Sequence, residues 1–245
     1  MASSSSRSSS RSRQASRCSS TSRLDLASEV GIGGGGGGGG WVHDALKEFR
    51  RLCSRLRPRR TQRVDQMVVR ILKEKGQWPR CFEPVIGSVP GVAVGDEFFY
   101  RMELLLVGLH RPPENGIDYQ AGSGIATSIV ASGGYSDICN LSGDILTYIG
   151  SGGCDGRRKR KASDQKLEKG NMALTRSMTA KTPVRVIYGL RNLKESVASV
   201  FVYDGLYFVE NYRRVRGGNG CYVLEFQLRR KPGQPRCWRL EARLQ

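Results

Sequence analysis

From Gly133 to Gly153 the chain reads GGYSDICNLSGDILTYIGSGG, with Tyr135 and Tyr148 thirteen positions apart and each beside a glycine-rich turn. Asp137 follows the first tyrosine by two residues. Two phenol rings can stack on both faces of one flat heterocycle, at about 1–3 kcal/mol per base. The carboxylate beside them can accept a hydrogen bond from an amino group. Gly133, Gly134, Gly150, Gly152 and Gly153, with Ser151 among them, would let backbone N–H groups approach a base or phosphate without obstruction by a Cβ. The same residues also suit a plainer role as turn and core positions, and the stretch alone leaves both readings open.

The chain around this stretch is strongly basic. Of 245 residues, 40 are Lys or Arg and 22 are Asp or Glu, for a net charge of +18. That balance favours polyanionic partners, nucleic acid before an acidic membrane surface. No run approaches the roughly 18 apolar residues of a spanning helix, so no membrane role is expected. The seven cysteines form no C-x-x-C pair, and His43 and His110 are the only histidines. Neither a metal site nor another cofactor is therefore expected, and the cysteines read as reduced thiols. A nucleophilic triad around His110 has no identifiable partner in the sequence.

The elements that would carry the site follow a tail. Residues 1–40 open with 23 residues that hold five arginines and no acid, mostly serine, and close on the glycine run from Gly33 to Gly40. This composition predicts a disordered tail and a flexible linker. The Ser/Arg-rich start also resembles a chloroplast transit peptide. Residues 41–77 predict two amphipathic helices. The first places Trp41, Ala45, Phe49, Leu52 and Leu56 on one stripe; the second places Val64, Met67, Val68, Ile71 and Leu72 together and ends at Gly76 in a left-handed cap. Seven arginines between residues 50 and 63 form either a solvated helix face or a phosphate-facing one. From Val89 the period becomes two. VGDEFFYRMELLLVGLH, GIATSIVAS, ILTYIG, TPVRVIYGL, SVFVYDGLYFVENY and GCYVLEFQLRR predict six strands, with Asp204-Gly205 as a tight strand-linking turn. The expected class is α+β: a curved, barrel-like sheet with the helices against its outside.

The blocks PGVAVGDEFFYRMELLLVGLHRP, GIDY, ATSIVASGGY, DILTYIGSGG, DQKLEKGNMAL, TPVRVIYGL, VYDGLYFVENY and FQLRRKPGQP occur in this order. Together they resemble the SRA domain, also called YDG after Tyr203-Asp204-Gly205, in the version found in plant SUVH histone methyltransferases. The resemblance covers residues 84–236, leaving 237–245 as a C-terminal tail, and the helix pair resembles the segment preceding this domain. The cysteine-rich pre-SET and SET segments do not follow PGQPRCWRLEARLQ, so methyl transfer is not expected and the chain reads as non-enzymatic. A nuclease is disfavoured too, because the acids show no arrangement suited to Mg²⁺.

The resemblance implies a reader of methylated cytosine, in CpG or non-CpG context, that flips the base out of double-stranded DNA. By the family's pattern the rings are Tyr135 and Tyr148, and Asp137 is the acceptor. Ile149 stands where the family usually has threonine; if that hydroxyl matters, about 1 kcal/mol of binding goes with its hydrogen bond. One buried methyl contributes only about 0.8 kcal/mol, so strong selectivity requires a closely fitted cavity. A basic loop, Arg157, Arg158, Lys159, Arg160 and Lys161, would contact DNA from the side opposite the pocket, or serve as a nuclear localisation signal. Gln165 is a further phosphate contact, and Asn115 or Gln120 would reach the space left by the base. The expected place is the nucleus, linked to chromatin silencing, with chromatin proteins or other SRA proteins as additional partners and no small-molecule substrate. The competing reading is a general nucleic-acid-binding or protein-interaction scaffold with a degenerate pocket.

Overall fold

A computed structural model describes residues 40–56, 63–78, 83–132, 138–140, 144–153, 163–191, 199–218 and 220–237. The expectations placed on 1–39, on Tyr135 and Asp137, on 154–162 and on 238–245 lie outside them.

Two helices come first, α1 (Gly40–Arg55) and α2 (Val64–Glu74). Burial on α1 falls on Val42, Ala45, Phe49, Leu52 and Cys53, a stripe rotated slightly from the predicted one. Helix α2 buries Val68, Val69 and Leu72, and Gly76 follows it at φ +66° as the left-handed cap requires. The first helix is tied to the body by a buried acid. Glu103 is fully enclosed and accepts two bonds from the Arg50 guanidinium, at 2.8 and 2.9 Å, and one from the Phe99 N–H. Arg51 pairs with Glu48 on its own helix. Arg63 pairs with buried Asp65, so three of the seven arginines serve packing and helix stability instead of facing a phosphate.

The segment VGDEFFYRMELLLVGLH departs from its expected strand. Only β1 (Glu97–Phe98) is extended, and α3 (Arg101–Leu106) follows at once. Leucine and methionine favour helix intrinsically, and a six-residue run is too short for a period of two to prove extension. The other five candidates are strands: β3 (Ala126–Ala131), β5 (Ile145–Ile149), β6 (Val184–Arg191), β7 (Ser199–Arg216) and β8 (Tyr222–Arg230). Short strands β2 (Ile117–Tyr119) and β4 (Ile138–Asn140) and a buried helix α4 (Lys169–Ala180) complete the fold.

All the strands join one sheet in the order β2-β3-β6-β7-β8-β5-β4, with β1 on β7. The β3–β6 pair is parallel and the remaining pairs are antiparallel. The path is open among the described residues, yet it curls. A Cβ placed on Gly116, just before β2, would lie 2.7 Å from the Tyr148 hydroxyl of β5, so the two ends of the path approach one another. The inner core joins Ile129, Val186, Val202, Tyr148, Phe226 and Leu228 with Leu174 of α4. The outer core joins Val130, Ile187 and Tyr203 to Phe98, Leu104 and Val42, so α1 and α3 cover the back of the sheet as expected for the flanking helices. This is the α+β, curved-sheet class.

Strand β7 corrects a second expectation. Asp204-Gly205 lies inside the eighteen-residue strand, not between two strands. Its pairing with β6 skips from Tyr203 to Gly205, a β-bulge at Asp204. Asp204 accepts from the Tyr207 hydroxyl and forms an ion pair with Arg230 at 3.0 Å. The long strand pairs β6 with its first half and β8 with its second, and the bulge lies within the half paired to β6.

Candidate nucleic-acid interface

Tyr148 is placed by β5. Burial alternates along Ile145–Ile149, so Leu146 and Tyr148 face inward and Thr147 and Ile149 face the other way. Across the ladder Tyr148 opposes Phe226 of β8, which opposes Tyr212 of β7; the Phe226 and Tyr212 rings stack at 5.5 Å. The Tyr148 ring is only 4% exposed. A base can stack on it only after the side chains covering it move aside. Ile149 presents its side chain to the opposite face and only its backbone to the inner side, so a residue of its size does not fill the space beside the Tyr148 ring.

The glycine turn after β5 is clamped from below. The Gly150 N–H donates to the Leu224 carbonyl at 2.8 Å, which holds it away from any ligand. Gln165 is buried: its amide donates to the Gly150 carbonyl at 2.6 Å, its oxygen accepts from the Leu224 N–H at 3.0 Å, and its own N–H donates to the Tyr222 carbonyl. Both ends of that side chain are therefore committed inside, and the expected phosphate contact gives way to a structural role. Asn171, in the first turn of α4, accepts from the Ser151 N–H and donates to the Ser151 and Lys166 carbonyls, each at 2.8 Å. A Cβ on Gly150 would meet the Asn171 and Gln165 amides at 2.6 and 3.0 Å, so glycine is required there for close packing. Gly152, at φ +85° with open space about it, is the part of the turn that faces outward.

Asn115 and Gln120 lie on the other side of the curl. Asn115 is exposed, but its carbonyl is gripped from within by Arg101 at 2.5 Å and His110 at 2.9 Å. The Gly116 carbonyl accepts from the Val130 N–H, and Arg111 pairs with buried Asp118, so the loop between them is held at both ends. Burial alone would raise the Asp118 pKa, but the Arg111 bonds outweigh it and hold the carboxyl below its usual range. Gln120 turns away from that loop. Its amide donates to the Pro84 carbonyl at 2.5 Å and its oxygen accepts from Ser123, so its side chain ties its own turn to the segment at Pro84.

The fold therefore brings together Tyr148, Gly150, Ser151 and Gln165, and sets Asn115 beside Tyr148 through Gly116. Gly133, Gly134, Tyr135, Asp137 and the cations Arg157, Arg158, Lys159, Arg160 and Lys161 lie outside the described residues. Asn171 and Arg101 escaped notice in the sequence. Nothing in the order of residues marks either as buried, since their partners are 20 and 14 positions away.

The described residues thus define a curled α+β domain with an inward tyrosine, Tyr148, beside a clamped glycine turn. The chain belongs to the SAD/SRA domain family, whose model matches residues 85–234. It is 46% identical over 212 residues to the H3 lysine-9 specific histone-lysine N-methyltransferase SUVH5 of Arabidopsis thaliana, covering 79% of this chain and 27% of that protein. It is also 44% identical to a YDG domain-containing protein of the same plant, covering 71% of this chain and 53% of the other. The chain thus spans about a quarter to a half of the length of these curated relatives. Among solved structures, the SUVH5 SRA domain in complex with fully methylated CG DNA matches with a TM-score of 0.54 and 50% identity, over 62% of this chain and 97% of that one. Arabidopsis thaliana SUVH6 matches with a TM-score of 0.67 and 42% identity, over 82% and 41%.

Proposed function

We propose that this chain is a non-catalytic nuclear module that binds double-stranded DNA by extruding a methylated cytosine and stacking it between Tyr135 and Tyr148. Asp137 accepts the hydrogen bond of the N4 amine, and the cations from Arg157 to Lys161 hold the backbone. The observation that carries this reading is the 50% identity to a domain crystallised with methylated DNA, over nearly all of that domain. Two features agree with it: Tyr148 sits at the inner end of β5, and the glycine turn beside it is held by Gln165 and Asn171. The same SUVH5 domain has been crystallised with hydroxymethylated CG DNA, which argues for a cavity with room beyond one methyl group. A chromatin role follows from the reading, since a module without its own chemistry acts by occupying or marking methylated sites.

The test compares one duplex with and without cytosine methylation, at two salt concentrations, by fluorescence anisotropy. Wild type is expected to prefer the methylated duplex. Tyr135→Ala and Asp137→Ala are each expected to abolish the preference, because each removes about 1–3 kcal/mol of interaction with the extruded base. Equal binding of both duplexes by wild type, with a steep salt dependence that neither substitution changes, would instead identify a general nucleic-acid binder.

A further inference from the structure

Loop 112–116 borders Tyr148 through Gly116 and is held by two polar side chains, half-buried Arg101 and fully buried His110. Pro113, Glu114 and Asn115 are exposed. Beneath them Arg101 Nη2 donates to the Asn115 carbonyl at 2.5 Å and to the Pro112 carbonyl at 3.4 Å. His110, fully enclosed, meets the same Asn115 carbonyl through Nε2 at 2.9 Å and the Ser128 hydroxyl through Nδ1 at 2.8 Å. A carbonyl only accepts, so Nε2 carries the proton and Nδ1 accepts from Ser128. Ser128 belongs to β3 and sits opposite Asp118 of β2, which in turn binds Arg111. The chain of contacts thus runs from the sheet to the tip of the loop without a break.

Two further observations show that this anchorage is not simply a good way to close a turn. Arg101 Nε is buried without a hydrogen-bond partner, and the guanidinium meets no carboxylate in hydrogen-bond contact among the described residues. Burying a cation on such terms is unfavourable, and burial lowers the Arg101 pKa to about 10. The loop it holds also has a neighbour of interest: Gly116 packs so closely on the Tyr148 hydroxyl that a Cβ there would stand 2.7 Å from it.

We propose that Arg101 and His110 are positioning residues for base binding: by gripping the Asn115 carbonyl from inside the sheet, they hold loop 112–116 against the Tyr148 phenol as one wall of the base site. Neither touches the base. This rests on the base-binding reading above. Its physical content is that the wall is already ordered before DNA arrives, so the ordering entropy is not charged to the binding step.

The experiment uses the full chain and the variants Arg101→Met, Arg101→Lys and His110→Gln. Amide hydrogen exchange is followed at residues 114–116 in the free protein, and affinity is measured for the methylated and unmethylated duplex. Arg101→Met keeps an unbranched apolar stem but removes the donors and the guanidinium that lies over the Phe201 ring. It is expected to speed exchange in the loop and to lower the ratio of methylated to unmethylated affinity about fivefold, the effect of removing one hydrogen bond. Arg101→Lys, which retains a donor and the charge, should recover part of both effects. A general loss of stability would weaken both duplexes alike and leave the ratio in place. A variant whose loop exchanges faster while the ratio stays at the wild-type value overturns the proposal, as does a loop whose exchange does not change. If Arg101→Met does not fold, His110→Gln carries the same two measurements. If wild type itself shows no methylation preference, the base-binding reading fails and this inference with it; if wild type discriminates and the variants do so equally, this inference alone fails.

Discussion

His110 shows at the scale of one residue what a buried polar group does to stability. Enclosure, with the Arg101 charge adding to it, pushes its pKa down to about 3, so the ring is neutral in the folded protein. In the unfolded chain it binds a proton near 6.5. Between those values the unfolded state holds more protons than the folded one, and stability therefore falls as the pH falls. The contribution is fully present above about pH 6.5 and is lost progressively toward 3, with a slope approaching ~1.4 kcal/mol per pH unit. Denaturant unfolding measured from pH 7 to pH 4 is expected to show this slope, and His110→Gln to flatten it. A wild-type profile that is level across the window would mean that His110 is protonated in the fold. The sequence displayed His110 plainly but only as a catalytic candidate without a partner; its true partners, Ser128 and the Asn115 carbonyl, are not chemical signals that a reader of the chain would select.

Strand β7 sets the lesson at the scale of elements. The letters Tyr203-Asp204-Gly205 look like a turn, because Asp-Gly is the strongest short hairpin signal. They form a bulge because the residues on both sides of Asp204 pair with the same neighbour, Tyr203 with Ile187 and Gly205 with Val186 of β6. Gly205 has φ +114°, and a Cβ there would stand 2.6 Å from the Gln234 oxygen, which is itself held by the Leu206 N–H. Gly205→Ala is therefore expected to destabilise the domain by about 1–3 kcal/mol, visible as a lower Tm. A Tm within a degree of wild type would show that the bulge relaxes freely. The helix α3 taught the converse: alternation over Phe98–Leu105 is real in the letters, but Leu104 and Leu106 are buried from a helix packed behind the sheet.

At the scale of the whole molecule, the net charge of +18 is the strongest single pointer to a polyanion. It overstates the field at the surface, since Arg185 is enclosed and donates to the Leu109, Val85 and Gly87 carbonyls. The cations that remain for DNA should reveal themselves through salt. Replacing Arg157, Arg158, Lys159, Arg160 and Lys161 by serine is expected to make the logarithmic salt slope of binding shallower by about 0.9 for each phosphate no longer neutralised. The methylation ratio should change far less, because groups that bind phosphate do not read the base. An unchanged slope would remove that loop from the interface.

Five of six strands, both leading helices, the α+β class and the family were legible in the chain, because alternation, helical stripes and ordered motifs are local patterns that survive any packing. What packing alone decided is which polar groups are enclosed and by what. Gln165 read as a phosphate contact and became a clamp; Asn171 and Arg101 were not singled out, and they bind Ser151 and the Asn115 carbonyl. Burial is a property of elements that meet across the sheet, and a hydrogen bond between residues far apart in the chain leaves no periodic mark in it.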